Sequence, residues 1–329
     1  MNISSIPVTE YRMQTQQSCT IDDKRYLGLQ NEGSTCYLNS LLQCLYMTPD
    51  FFNSIVRTDE MGEPVSELQN LFINMKYGHS PPSTKKLMDC LRIQSGKQQD
   101  VEEHFRILIS NIPEDMRVRE MFIIQMVNSI ICQECQEEDI IPNPMLTLPV
   151  SIQKPQPSVG EAVQDFLKPN VLCGDNQCYC IKCKSKQDAI SCNYFAALPQ
   201  ILVIHLKRYE IFSGGFRKIN QSVDVPNTLN IPMKNNSDGC DYKLFALCHH
   251  YGGLKSGHYT SEIKSFVDDQ WYIFDDTHVT MSHSGISNEK SSDTAYLLMY
   301  YKEQPYKPMF LEKEHLSREL QSRILRISK

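Results

Sequence analysis

The segment from residue 28 to residue 43 most constrains what this chain can fold into, because it places a cysteine at the predicted start of a helix. Two glycines and small polar residues precede Cys36, and an apolar face at helical spacing follows it: Leu38, Leu41, Leu42 and Leu45. The positive end of a helix favours a thiolate, and its free N–H groups can hold an oxyanion. Asn31 can add a side-chain N–H. The pattern therefore predicts either a nucleophile or a small buried core cysteine.

A histidine that can serve as the base for such a nucleophile lies far along the chain. A predicted strand and a glycine-rich turn precede a second strand, which begins at His258. A third strand is predicted over residues 271–279 and contains Asp275 and Asp276. Neighbouring antiparallel strands place such residues side by side. We therefore expect Asp275 to accept a hydrogen bond from one imidazole nitrogen while the other nitrogen faces Cys36.

These segments resemble the cysteine box and the histidine box of the ubiquitin-specific proteases, which are papain-like cysteine deubiquitinases. The resemblance extends over residues 26–301 and includes residues 98–103, 198–209 and 295–301. Carried over residue by residue, it implies four catalytic positions: Cys36 as nucleophile, Asn31 as oxyanion-hole amide, His258 as general base and Asp275 as the residue that orients it.

The resemblance also implies residues around this centre. Asp276 matches a neighbouring acid that supports the site in some members. Asp100 and Tyr259 are expected to line a narrow channel for the extended tail of the modifier, with Asp100 holding that tail. Only glycine is expected to fit at the end of the tail, because any side chain there would clash with the channel.

Two positions depart from the family pattern, and the histidines create an ambiguity. Ser34 stands where the family usually has asparagine, and a serine can also cap a helix start. His104 occupies a position that is normally apolar, which is expected to loosen the packing behind the channel. The Gly-His-Tyr context singles out His258 from its neighbours in sequence: His249, His250 and His278.

Two Cys-x-x-Cys pairs predict a structural zinc site with four thiolate ligands: Cys132, Cys135, Cys180 and Cys183. The tip of the fingers region in the family holds zinc in a similar way. Four cysteines close the coordination sphere, so no catalytic metal is expected. Two alternatives remain open at this point. The cysteines can be buried reduced thiols, or Cys173 or Cys178 can replace one ligand of the second pair.

The composition indicates the environment and the partners of the chain. Its 329 residues allow a single large catalytic domain. The 13 cysteines, without an apolar signal-peptide core near Met1, predict a cytosolic or nuclear protein with no disulfide framework. No run approaches ~18 consecutive apolar residues, so no membrane association is expected. A net charge of −6 argues against nucleic-acid binding and suits a partner with a basic face. We expect a monomer.

The order of the segments predicts an α+β protein with the ubiquitin-specific protease fold. Residues 1–25 form an N-terminal segment, and residues 26–302 form the catalytic domain. The domain divides into a helical thumb over about 26–119, zinc-bearing β fingers over about 120–193 and a β-rich palm over about 194–302. Helices are predicted at Cys36, over 65–75 and over 101–112, and strands over 122–131 and 145–152.

The remaining residues, 303–329, are predicted to form an amphipathic basic helix. Four apolar residues recur at helical spacing among lysines and arginines: Leu316, Leu320, Ile324 and Ile327. Such a helix either packs on the domain with a solvated outer face or serves as a docking or targeting element. The sequence does not choose between these two interpretations.

The resemblance implies a thiol-dependent ubiquitinyl hydrolase that cleaves the isopeptide or peptide bond after the C-terminal glycine of ubiquitin. One alternative is a protease specific for an interferon-induced ubiquitin-like modifier, because residues 145–149 and 295–298 are similar to the small members with that preference. A further alternative is an inactive ubiquitin-binding scaffold. The four matched catalytic positions argue against it.

Overall fold

The computed structural model describes residues 26–58, 62–155, 157–212, 214–234, 236–253, 256–282 and 289–327. Within these ranges the α-helices are α1 (Cys36–Tyr46), α2 (Pro49–Arg57), α3 (Glu63–Tyr77), α4 (Lys85–Cys90), α5 (Val101–Ser110), α6 (Val159–Leu167) and α7 (Arg318–Ile327). The strands are β1 (Gln125–Cys132), β2 (Glu138–Pro142), β3 (Leu148–Ser151), β4 (Asn170–Leu172), β5 (Cys178–Cys180), β6 (Ser185–Gln187), β7 (Ala189–Ala197), β8 (Ile201–Lys207), β9 (Tyr209–Phe212), β10 (Gly215–Lys218), β11 (Val223–Pro226), β12 (Thr228–Met233), β13 (Asn236–Gly252), β14 (Gly257–Lys264), β15 (Trp271–Asp275), β16 (His278–Met281), β17 (Glu289–Ser292) and β18 (Ala295–Lys302). The α+β class predicted from the sequence is confirmed.

Helices α1 to α5 form one region of the structure around a buried α1. Every residue of α1 is buried, because the helix packs between the other helices on one side and strand β14 on the other. Aromatic side chains fill the space between the helices through edge-to-face contacts. The rings in these contacts belong to Phe51, Phe72, Phe105 and Phe122.

The largest sheet has the strand order β16-β15-β14-β13-β18-β8-β3, and β12 also pairs with β13. Its neighbouring strands are antiparallel except for β3 and β8, which are parallel. Strand β14 therefore lies between β13 and β15 and contacts α1 across one face. This arrangement brings the start of β14 and the end of β15 towards the beginning of α1.

A second, four-stranded sheet has the order β2-β1-β7-β4, and the short β5–β6 hairpin lies between β4 and β7 in the chain. Strand β3 and helix α6 lie between these strands in sequence but pack with the large sheet. The predicted fingers segment therefore contributes to both sheets, and the boundary predicted near residue 193 falls inside β7. Helix α6 packs with the large sheet because Val159 and Val163 bury their side chains in the core of that sheet.

The local predictions hold for the helices with the clearest periodicity, since α1, α3 and α5 lie where helices were expected. The strand predicted over residues 271–279 is wrong as a single element. Asp276 adopts a left-handed conformation with φ of 50°, and the chain turns there between β15 and β16. The Asp276 carbonyl accepts a hydrogen bond from the Leu29 N–H at 2.7 Å, which holds the turn against the segment before α1.

Helix α7 covers only part of the predicted C-terminal helix and packs against α3. Leu320 and Ile324 are buried, and the Arg323 guanidinium donates a hydrogen bond to the Asn70 side chain at 2.8 Å. The structure therefore favours the interpretation of a helix packed on the domain. No helix of the described residues is long and apolar enough to cross a membrane.

Candidate active site

Cys36 is the first residue of α1, as predicted, and its side chain is almost fully buried, with 3% exposed. The backbone N–H of Tyr259 donates to Cys36 Sγ at 3.4 Å, which joins the helix directly to β14. Ser34 does not cap the helix, which corrects the prediction. Thr35 is the N-cap, and it makes no side-chain cap. Ser34 has a φ of 56°, a left-handed conformation that asparagine tolerates better than serine.

His258 and Asp275 form a hydrogen-bonded pair, with 2.6 Å between His258 Nε2 and Asp275 Oδ1. Strand pairing produces this contact, because Ser261 of β14 lies opposite Phe274 of β15 and so sets both residues at one end of the two strands. The bond to Asp275, followed by the interaction with Cys36, raises the pKa of His258 to about 10. The same bond lowers the pKa of Asp275. The imidazole is therefore positively charged at neutral pH.

Asn31 lies in the loop before α1, with its amide held in one orientation. Its Nδ2 donates to Asp276 Oδ2 at 2.8 Å, and its oxygen accepts from the backbone N–H groups of Gly33 and Thr35. The other Asp276 oxygen accepts from Asn39 Nδ2 at 2.8 Å. Because an amide nitrogen carries two hydrogens, the second N–H of Asn31 is not used in the bond to Asp276 and can donate to another acceptor.

The other histidines have structural contacts of their own. His250 lies beside the Tyr209 hydroxyl at 3.2 Å, and burial, followed by Lys218, lowers the pKa of His250 to about 4. His249 contacts Thr294 and the Glu262 carboxylate. His104 is buried, with Nδ1 at 3.0 Å from the Asp100 carbonyl. The loosened packing expected at His104 is therefore wrong, because the ring is both packed and hydrogen-bonded.

The predicted channel residues lie in a cluster of rings beside Cys36. Tyr259 is buried, and its ring packs against His250 and Tyr296, with ring centroids 4.4 and 6.1 Å apart. Asp100 is the N-cap of α5, where one carboxylate oxygen accepts from two backbone N–H groups. The other oxygen accepts from the Tyr296 hydroxyl. Asp100 therefore fixes the start of α5 against β18, and one oxygen retains a free lone pair.

The four predicted cysteines come together at the ends of two hairpins. Their sulfur atoms all lie within 4.8 Å of one another, with 4.0 Å between Cys132 and Cys183 and 3.5 Å between Cys135 and Cys180. A tetrahedral zinc with bonds of about 2.3 Å requires sulfur atoms about 3.8 Å apart, so this cluster fits the ion. The backbone N–H of Cys183 donates to Cys180 Sγ, and this hydrogen bond is the largest cause that lowers the pKa of Cys180 to about 7. The hydrogen bond with Cys135 is the first cause that raises the pKa of Cys183 to about 12. Hydrogen bonds among the sulfur atoms therefore do not make all four groups thiolates, and a bound cation would be needed to do so.

Sequence reasoning missed several residues that the fold brings to this site. Asn39 is one of them, and its only sequence signal is that it lies about one turn after Cys36, in a helix that also contains the polar residues Ser40 and Gln43. Tyr296 and Lys218 are two others. Their contacts join residues that lie far apart in the chain, so no local pattern indicates them.

A cysteine at a helix start, beside a histidine that an aspartate holds on a neighbouring strand, is the arrangement of a papain-like cysteine hydrolase. The sequence model of the ubiquitin carboxyl-terminal hydrolase family matches residues 27–300. The chain belongs to this family.

Curated relatives agree with this assignment. The chain is 30% identical to human Ubl carboxyl-terminal hydrolase 18, over 84% of the chain and 85% of that protein. It is 26% identical to ubiquitin carboxyl-terminal hydrolase 47 of Drosophila melanogaster, over 90% of the chain but 26% of that protein. It is 30% identical to ubiquitin carboxyl-terminal hydrolase 5 of Schizosaccharomyces pombe, over 78% of the chain and 25% of that protein. The chain thus spans about a quarter of the length of two of these relatives and most of the length of the third.

Proposed function

We propose that this chain is a cysteine-type deubiquitinase that hydrolyses the isopeptide or peptide bond after the C-terminal glycine of ubiquitin. The observation that carries the proposal is the convergence of Cys36 on α1 with the His258–Asp275 pair on β14 and β15. These three residues lie within the segment that matches the family. Incubation with ubiquitin that carries a fluorogenic C-terminal amide tests the proposal, and an inert protein at micromolar concentration would contradict it.

The proposed reaction follows the usual order of thiol proteases. The Cys36 thiolate attacks the carbonyl carbon of the terminal glycine, and the oxyanion forms beside the helix start and the free N–H of Asn31. The imidazolium of His258 gives its proton to the leaving amine of the lysine, and a thioester remains on Cys36. Water then attacks the thioester while His258 accepts its proton, which releases the modifier and regenerates the thiolate. Asp275 keeps the imidazole oriented and favours its charged form.

We also propose roles for the regions around this centre. The helices α1 to α5 correspond to a thumb, the four-stranded sheet to fingers, and the large sheet to a palm. Asp100 and Tyr259 line the channel for the extended tail of the modifier. The rings packed around Tyr259 leave little space there, which suits a tail that ends in glycines. The body of the modifier rests on the fingers and the palm, which supplies binding energy far from the chemistry.

We propose one structural zinc ion, held by Cys132, Cys135, Cys180 and Cys183. The distances between the sulfur atoms support a four-thiolate site. The residue directly after each Cys-x-x-Cys pair has a left-handed conformation, Gln136 after the first pair and Lys184 after the second. The two turns that would hold the ion therefore have a similar backbone geometry. The ion would stabilise the β5–β6 hairpin against β1 without taking part in the hydrolysis.

A second candidate substrate is a ubiquitin-like modifier, such as the interferon-induced one. One relative, the human protein named Ubl carboxyl-terminal hydrolase 18, aligns with this chain over 85% of its own length. Probes that carry a C-terminal electrophile, one built on ubiquitin and one on the ubiquitin-like modifier, distinguish the two candidates. Faster labelling of Cys36 by the second probe would replace ubiquitin as the proposed substrate.

A further inference from the structure

Gln30, the residue directly before Asn31, joins the loop before α1 to the α3–α4 loop, which comprises residues 78–84. The backbone N–H of Gln30 donates to the Pro82 carbonyl at 3.0 Å. Its side-chain Nε2 donates to the Pro81 carbonyl at 2.8 Å. A single residue therefore binds two successive carbonyls of the α3–α4 loop, immediately beside the proposed oxyanion donor.

A second contact joins the same two loops on the other side of Asn31 in the chain. The Ser83 hydroxyl donates to the Glu32 carboxylate, and Ser83 Oγ also accepts from the Lys85 N–H at 3.2 Å. Asn31 thus lies between two residues that are both bonded to the α3–α4 loop. A displacement of that loop would move the backbone on either side of the Asn31 amide.

The α3–α4 loop is suited to act as a fixed support. At its start the Gly78 N–H donates to the Asn74 carbonyl of α3 at 2.9 Å, and at its end Thr84 is buried. Between these points Pro81 and Pro82 fix two successive φ angles, because the proline ring allows only one narrow range of φ. The loop is therefore anchored at both ends and has few free backbone angles in its middle.

The loop before α1 contains two successive residues with positive φ, Gly33 at 95° and Ser34 at 56°. A glycine loses more conformational freedom on ordering than any other residue, and a serine rarely adopts this conformation. Contacts from outside the loop therefore help to hold Asn31 in one place. Such contacts come from the Asp276 carboxylate, from the Gly96 N–H and from the α3–α4 loop.

We infer that Gln30 is a positioning residue that binds the α3–α4 loop and so holds the Asn31 amide where the oxyanion forms. The inference rests on the proposed function. The Gln30 side chain is directed to the Pro81 carbonyl and not to the reacting atoms, so it acts through Asn31. Its loss should therefore lower kcat and leave KM unchanged, because an oxyanion donor acts chiefly in the transition state. The side chain is exposed, so its replacement removes a hydrogen bond without leaving a cavity in the core.

The test is the steady-state hydrolysis of ubiquitin with a fluorogenic C-terminal amide by the Gln30→Met variant, which keeps the length of the side chain but has no donor. We expect kcat to fall about fivefold, the size expected for the loss of one hydrogen bond, with KM within about twofold of the wild type. Gln30→Lys restores an N–H donor and should return kcat to within about twofold of the wild type. Gln321→Met is the matched control, because Gln321 of α7 likewise donates to a backbone carbonyl, that of Leu316 at 2.9 Å, and should keep its kcat.

A double-variant cycle distinguishes action through Asn31 from an independent effect. In the Asn31→Ala background, Gln30→Met should change kcat by less than about twofold, because the amide that Gln30 positions is already absent. Ser83→Ala removes the second contact between the two loops and should lower kcat about two- to threefold in the wild-type background only.

Alkylation of Cys36 by iodoacetamide provides a readout that does not depend on the oxyanion. This small reagent needs only the thiolate and its imidazolium partner, so its rate should be equal in wild type and Gln30→Met. Unchanged kcat in Gln30→Met, an undiminished loss in the Asn31→Ala background, or a parallel loss of alkylation would overturn the inference. If Gln30→Met does not fold, as judged by circular dichroism, Gln30→Ala replaces it and must still lower kcat. A wild-type protein that cleaves no modifier would instead contradict the proposed function.

Discussion

The Asp276 carboxylate joins Asn31 to Asn39, accepting one amide hydrogen bond on each oxygen at 2.8 Å. Asn31 lies in the loop before α1, Asn39 lies within α1, and Asp276 lies on the turn after β15. The three residues thus tie the start of the helix to the edge of the large sheet. The contact also orients the Asn31 amide, since its oxygen is occupied by the loop backbone. Asp276 is therefore expected to act through Asn31.

Replacement of Asn31 by alanine is expected to lower kcat by about 10²–10³ with little change in KM, because an oxyanion donor acts chiefly in the transition state. Asp276→Asn should lower kcat by a smaller factor. Asparagine tolerates the positive φ at this position but turns an NH₂ group towards one of the two amide donors. The double variant should be no slower than Asn31→Ala alone. A kcat loss in the double variant equal to the product of the two single losses would show that Asp276 acts independently of Asn31.

Replacement of Cys36 by alanine is expected to abolish hydrolysis and leave binding of ubiquitin largely intact, because the Sγ atom does the chemistry and fills little space. His258→Ala should remove turnover in the same way. His250→Ala serves as the comparison and should lower the free energy of unfolding by about 1–2 kcal/mol while retaining kcat within roughly tenfold. Turnover by Cys36→Ala, or equal kcat losses in both histidine variants at normal stability, would contradict the assignment.

The pH dependence of hydrolysis should depend on Asp275. Its hydrogen bond is the largest cause of the raised His258 pKa, so the imidazolium persists to about pH 10 in the wild type. Without that bond the pKa falls towards the ordinary value of about 6.5. The alkaline limb of kcat/KM against pH should therefore move to lower pH in Asp275→Ala and move less in Asp275→Asn, which keeps an acceptor oxygen. An alkaline limb at the same pH in all three proteins would rule out this role.

Gly257 is expected to be irreplaceable, because a Cβ there would overlap the Tyr251 carbonyl and His250 Nε2. Gly257→Ala should therefore displace the start of β14 and reduce both stability and kcat/KM. Gly253→Ala is the matched control in the same turn, since a Cβ at that position meets no described atom within 4 Å. Thermal unfolding and hydrolysis assays of both variants test the prediction. Similar losses in the two variants would show that the turn as a whole, and not this overlap, is sensitive.

The proposed zinc site predicts one zinc per chain by elemental analysis of protein purified without chelator. Four-thiolate sites contribute on the order of 10 kcal/mol to local folding. Cys180→Ser should therefore release the metal and weaken modifier binding while sparing the alkylation of Cys36. Cys178→Ser is the control, because Cys178 lies outside the cluster of four sulfur atoms. Metal loss in Cys178→Ser alone would move the ligand assignment to that residue, and metal content near zero in the wild type would contradict the site.

The sequence alone determined the features that depend on near neighbours. The leucine spacing after Cys36 predicts a helix that begins at this residue, because helical periodicity is set by side chains three and four positions apart. The two Cys-x-x-Cys pairs indicate a metal site because each pair fits one ion. The choice of His258 and Asp275 came from their contexts and from the family resemblance.

Only the tertiary structure decided which distant groups meet. The orientation of Asn31 depends on Asp276, which is 245 positions away, and the contact requires a left-handed turn that local periodicity predicted as a strand. The cluster of Cys180 with Cys135, to the exclusion of Cys178, depends on how two hairpins pack. The contact of Lys218 with the backbone carbonyls of His250 and Gly252 at the end of β13 depends on how β10 packs against that strand. Such contacts follow from packing and strand register across the whole sheet, and residues that are adjacent in the chain carry no signal of them.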